Sequence, residues 1–405
     1  MKYSHACEQT GTLHITLYFE KYSRFRVRFM ACKKAIWVLW ILLSTWICAG
    51  KLNGRGRSCG FPAIYNFGDS NSDTGGKSAA MWEINPPNGE TFFGKPSGRY
   101  CNGRIVVDFI AEHLGLSYLS PYLDSIGTNF RHGANFATGG SSILPGGYSP
   151  FDLDIQIGQF MQFKSRTSAL YKQLSRNTKL LPLQNILPRP RDFSKALYTF
   201  DIGQNDLSYG FQYTNETQVL ASIPGLIAKF SQAVSQLYNE GARFFWVHST
   251  GPLGCLPYNV IYDQSKLNDL DRYGCVANQN KVAQEFNRQL KDKVSQLKAQ
   301  LPSSAFTYVD VYKAKYKLIS DASNYGFEDP HKFCCGGYYG FRVGCGAKAV
   351  VNGTVYENLC TDPSRYISWD GIHYSQAANL FISKLIINGS LSTPPNTLAQ
   401  ACQLS

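Results

Sequence analysis

The chain has 405 residues, 44% apolar and 14% aromatic, enough for a sizeable core in one large domain or two smaller ones. Its formal charge is +12, but the basic residues are scattered and form no stripe interleaved with aromatics, which argues against nucleic-acid binding. The 25 Tyr and 25 Phe fit an aromatic-lined cleft or a sugar-binding surface, although ordinary core packing accounts for most such residues.

Met30 to Gly50 has the three parts of an export signal. Lys33 and Lys34 form a basic start, Ala35 to Cys48 an apolar run, and Ala49 and Gly50 a small-residue end. The run is short for a membrane span, so no stable anchor is expected, a type II anchor being the competing reading. Residues 1–29 have no clear periodicity and read as an extension ahead of a start at Met30. Residues 51–60, rich in Gly and Arg, read as a linker, and residues 61–402 as one domain. No second core, internal repeat or low-complexity tract appears.

Cysteine use agrees with an oxidising compartment. Beyond the leader remain Cys59, Cys101, Cys255, Cys275, Cys334, Cys335, Cys345, Cys360 and Cys402, an odd number that leaves at least one unpaired. Without Cys-x-x-Cys spacing or a His cluster, no metal site is expected. Asn215-Glu-Thr, Asn352-Gly-Thr and Asn388-Gly-Ser are glycosylation sequons. These features point to a secreted, extracellular protein of the cell wall, where a basic surface favours acidic polymers.

Taken in order, Ala63–Asp69 reads as a buried strand that breaks at Gly68. Residues 81–104 are a long irregular connection. Apolar spacing predicts a helix over 105–114, ended by Gly115. Residues 130–140 read as a short strand running into a Gly turn, and 155–175 as a helix. Residues 177–193 read as a surface excursion, and 196–202 as a buried strand. Leu226, Ile227, Phe230, Val234 and Leu237 mark a helix stopped at Gly241, followed by a strand over 243–248. Val282, Phe286, Leu290 and Leu297 mark a long helix closed before Pro302. A strand over 305–311 and a helix from about Ser375 complete the series. This alternation predicts a mostly parallel sheet covered on both faces, with ligands beyond the carboxyl ends of the strands.

Four stretches carry chemical potential. Ser70 follows the first strand, where the N-terminal N–H groups of the next helix would favour negative charge beneath it. Gly139, after the second strand, can present a backbone N–H to a ligand. Asn205, in Gly203-Gln-Asn-Asp206, places an amide where a developing oxyanion would sit; such a donor is worth about 3 kcal/mol of barrier. His373 suits a general base, because imidazole titrates near neutrality, and Asp370 three residues earlier can fix its tautomer. Each stretch alone reads equally as turn or cap chemistry. Among the other histidines, His113, His132, His248 and His331 have no comparable acidic neighbour; His248, just past a strand, is the best decoy. There is no Gly-x-Ser-x-Gly elbow, phosphate loop or dinucleotide fingerprint.

Together these stretches resemble the plant branch of the GDSL (SGNH) esterase/lipase family, close to secreted members related to early nodulins, some labelled α-fucosidase. Phe67-Gly-Asp-Ser-Asn-Ser-Asp-Thr-Gly75 is similar to the first family block. Asn135-Phe-Ala-Thr-Gly139, Gly203-Gln-Asn-Asp206 and Asp370-Gly-Ile-His373 are similar to the later ones. Asn71 stands where the family name has Leu, and Gly139-Gly140 is a double glycine. The resemblance implies a three-layer α/β/α sandwich of flavodoxin-like type. It implies Ser70 as nucleophile, His373 as base and Asp370 as acid, with Ser70, Gly139 and Asn205 as oxyanion donors. It implies hydrolysis of a carboxylic ester, with a small-molecule or wall-polymer substrate and no cofactor. An acyltransferase using the same residues, a glycosidase built on two carboxylates and a non-catalytic wall protein are the alternatives.

Overall fold

The computed structural model describes residues 59–403 apart from 177–180 and 263–268. The expected leader over 30–50, the extension over 1–29 and residues 51–58 of the linker lie outside the described residues.

Five strands run parallel: β1 (Ile64–Gly68), β2 (Gly133–Asn135), β3 (Leu197–Asp201), β4 (Phe244–His248) and β5 (Ala305–Val309), in the order β2-β1-β3-β4-β5. A two-residue strand, Ser392–Thr393, adds antiparallel to β5 at the edge. Strands β1 and β3 are buried at every position, which explains their continuous apolar character. Phe67 at the centre stacks between Phe136 and Phe200 at 5.3 and 5.2 Å. In this order the chain leaves β1 toward β2 on one side and β3 on the other. The crevice at the carboxyl ends of β1 and β3 is therefore the topological switch point.

The main helices are α1 (Gly76–Ala80), α2 (Val106–His113), α3 (Leu153–Leu174), α4 (Gln204–Tyr213), α5 (Glu216–Asn239), α6 (Ala277–Gln300), α7 (Val311–Ser320) and α8 (Gln376–Ile387). Helices α3 to α6 pack as one layer and α2, α7 and α8 as the other, which makes the three-layer sandwich. Of the elements that differ from the sequence reading, three do so for a plain local reason. Helix α5 starts ten residues before Leu226, because the exposed Asn215 caps it by accepting from Gln218 N, and Pro224 is accommodated inside. The strand expected over 305–311 ends at Val309, because Asp310 accepts from Lys313 N and starts α7. Helix α4 begins directly at Gln204, behind a left-handed Gly203.

Among the described residues four disulfides join Cys59–Cys402, Cys255–Cys275, Cys334–Cys360 and Cys335–Cys345, and Cys101 is the free, buried thiol. The last two pairs clamp a segment of two small hairpins, Gly337–Val343 and Ala349–Tyr356, that has no counterpart in the sequence reading. Among the described residues no helix is long and apolar enough to cross a membrane.

Candidate active site

Ser70 stands in the turn after β1. Gln156 of α3 holds the last residue of that strand from both sides, accepting from Gly68 N at 2.9 Å and donating to Gly68 O at 2.8 Å. A side chain at Gly68 would run into the Asp201 carbonyl at 2.5 Å, so the turn requires glycine. Asp69 Oδ1 accepts from the backbone and side-chain nitrogens of Asn71 at 2.9 and 3.0 Å, which closes the turn and gives Asn71 a structural task.

From across the molecule the segment before α8 brings in the imidazole. His373 Nε2 lies 2.8 Å from Ser70 Oγ, and His373 Nδ1 lies 2.6 Å from Asp370 Oδ2. Asp370 Oδ1 accepts from Ile372 N and His373 N at 2.9 and 2.7 Å, and Gly371 turns the chain at φ +93°. Burial alone would raise the Asp370 carboxyl; the His373 ring and these hydrogen bonds outweigh it and hold it below its ordinary range. The carboxylate thus favours a proton on Nδ1 and leaves Nε2 to accept from the serine hydroxyl. Tyr100 lies along the imidazole, ring centroids 4.8 Å apart. It comes from the irregular connection, where no periodicity marked it.

The glycine and asparagine sites line the same cavity of about 320 Å³ as Ser70 and His373. Asn205 Nδ2 donates one hydrogen to Ser141 O at 2.8 Å, which fixes the amide and leaves its second hydrogen. Two expectations need correction. The Gly139 N–H does not face the cavity as a free donor; Asp73 Oδ2 takes it at 2.8 Å. Gly140 N makes no hydrogen bond among the described residues. The start of α1 is likewise closed to an anion, because Asp73 also accepts from the N–H groups of Gly75, Gly76 and Lys77 at 2.7, 2.5 and 3.1 Å. A side-chain carboxylate supplies the negative charge that the sequence reading assigned to the reacting group.

His248 is resolved as structural. Its Nε2 accepts from Trp246 Nε1 at 3.0 Å and its Nδ1 faces Asp201 Oδ2 at 3.4 Å, so both ring nitrogens are engaged. The acid lies 47 residues away in sequence, beyond any spacing argument. Beneath the site Asp201 shares a buried cluster with Asp69 and Lys315. Burial pushes the Lys315 ammonium down and both carboxylates push it back. Its Nζ sits over the ring of Tyr374, the residue after the imidazole, at 4.5 Å.

A family model described as GDSL-like lipase/acylhydrolase matches residues 64–386. The chain belongs to that family. A GDSL esterase/lipase of Arabidopsis thaliana is 53% identical, over 88% of this chain and 94% of its own length. The GDSL esterase/lipase ACHE of Zea mays is 51% identical, over 86% and 91%. A protein named Alpha-L-fucosidase 3 of Arabidopsis thaliana is 47% identical, over 85% and 93%. As a plant GDSL-family member the chain is a hydrolase of ester bonds.

Proposed function

We propose that this GDSL-family hydrolase cleaves carboxylic esters by acyl transfer through Ser70, with His373 as base and Asp370 as its orienting acid. The observation that carries the reading is the contact chain Ser70 Oγ to His373 Nε2 to Asp370, at 2.8 and 2.6 Å. The serine proton passes to Nε2 as Oγ bonds to the ester carbon. The oxyanion is received by the Ser70 N–H and the Asn205 amide, with Gly140 in the place expected of Gly139. The carbonyl re-forms, and Nε2 returns the proton to the departing alcohol. Water then repeats the cycle and releases the acid.

We further read the protein as exported, with a leader over 30–50 and one hydrolase domain over 61–402. Four disulfides and the exposure of Asn215, Asn352 and Asn388 support this. No Asp or Glu side chain lines the cavity among the described residues. A glycosidase needs two opposed carboxylates there, so the fucosidase name of one relative is not carried over. The test is hydrolysis of a short-chain chromogenic ester and a chromogenic fucoside by the wild type and Ser70→Ala. Ester cleavage that disappears in the variant is expected. Fucoside cleavage that survives it refutes the assignment.

A further inference from the structure

The cavity over Ser70 carries two cations that the acyl-transfer reading leaves unused. Lys77, only 6% exposed, has its ammonium over the Trp82 ring at 4.5 Å. Arg342, from the disulfide-clamped segment, has its guanidinium over the Tyr258 ring at 5.1 Å. Both line the cavity with Ser70 and His373. Among the described residues neither takes part in an ion pair. Burial pushes the Lys77 ammonium down, and Asp73, whose carboxylate is already filled by backbone N–H groups, pushes it only partly back.

A buried ammonium that makes no direct ion pair is unfavourable, and a ring face holds a cation less firmly than a carboxylate does. The site is therefore improved by any ligand that brings an anion. The rest of the wall narrows the choice. Among the described residues Leu256 and Ile372 are its only aliphatic side chains, which is poor provision for a long acyl chain. Tyr148, Gln212 and Asn259 offer a ring face and amides, the groups that meet the C–H face and hydroxyls of a sugar.

We propose that the substrate of this site is an O-acylated acidic sugar, a uronic acid whose carboxylate is received by Lys77 and Arg342 while its acyl group reaches Ser70. This rests on the Ser70 reading above and names the substrate class of that same site. A cationic ester such as acetylcholine would meet two like charges there.

The test measures acetate release by the secreted wild-type protein from mono-O-acetylated galacturonic acid, from its methyl ester and from acetylcholine. 4-Nitrophenyl acetate, with and without Ser70→Ala, serves as the control on the chemistry. The free acid should exceed its methyl ester in kcat/KM by at least about tenfold, the ratio one charge-assisted hydrogen bond supports. The difference should lie in KM and shrink as salt is added. Arg342→Gln and Lys77→Met should each bring the ratio toward one. Galacturonate should also inhibit wild-type 4-nitrophenyl acetate hydrolysis more strongly than methyl galacturonate, a readout that needs no variant. A ratio below about threefold with equal inhibition by the two sugars, or faster cleavage of acetylcholine, overturns the acidic-sugar proposal alone. Absence of 4-nitrophenyl acetate hydrolysis, or its survival in Ser70→Ala, overturns the Ser70 reading and this proposal with it.

Discussion

Asp69, the residue before Ser70, should make the protein lose stability as pH rises toward neutrality. The residue is 1% exposed, and among the described residues Oδ2 has no hydrogen-bond partner while Oδ1 is filled by Asn71. Burial first, and then the neighbouring Asp201, push its carboxyl from 3.8 up to about 7, against the opposing pull of Asn71 and Lys315. An acid whose value is raised by folding binds its proton more tightly in the folded state. Its contribution to stability is therefore complete below about pH 4 and is lost as pH climbs through about 7. A gap of about three units corresponds to about 4 kcal/mol at most, and sharing of the charge with Lys315 lowers this to about 2–4 kcal/mol. Asp69→Asn keeps the shape of the protonated acid and does not titrate. Urea unfolding with disulfides intact, followed from about pH 4.5 to 7.5, should show the wild type losing about 2–4 kcal/mol relative to the variant. Titrating groups outside the cluster of Asp69, Asp201 and Lys315 cancel in that difference. Curves that stay parallel within about 0.5 kcal/mol would refute the reasoning, and would mean that Lys315 keeps Asp69 ionised throughout.

Two further outcomes follow from single contacts. On the proposed acyl-transfer mechanism, Asn205→Ala should lower kcat by about 100- to 1000-fold with little change in KM, since the charge its amide would meet exists only in the transition state; steady-state kinetics on a chromogenic ester decide it. Arg99 grips Asp108 through Nε–Oδ2 and Nη2–Oδ1 at 2.8 and 2.7 Å, both side chains being buried, so Arg99→Met should cost about 3–5 kcal/mol in urea unfolding by leaving a buried charge alone.

What was legible in the sequence is what depends on near neighbours. Asp370 and His373 lie three residues apart, so their pairing is a property of one turn. Ser375, which accepts from Ala378 N, starts α8 where the sequence reading placed its beginning. The strand–helix alternation likewise sets out the sandwich, because buried parallel strands leave continuous apolar runs. What was illegible depends on distant partners. His248 looked unaccompanied because Asp201 reaches it through the pairing of β3 with β4. Tyr100 and Trp82 come from irregular stretches, and Arg342 from a short hairpin inside the loop closed by the Cys335–Cys345 bond. The Gly139 donor was misread because a backbone N–H reveals its partner only in three dimensions, and Asp73 lies 66 residues away. The cap at Asp310 was present in the sequence, but the apolar run across it concealed the change of element.

The Cys59–Cys402 bond, with Cα atoms 5.6 Å apart, gives the domain the topology of a ring. One peptide bond cut anywhere between those cysteines yields two chains that remain one covalent molecule. The exposed hairpin tip at Asn352-Gly353 offers such a place, and there the Cys334–Cys360 bond is a second tie across the cut. Nicked protein should migrate as one species on a non-reducing gel and as two after reduction. An enzyme held closed in this way tolerates the first proteolytic event and is lost only at a later one.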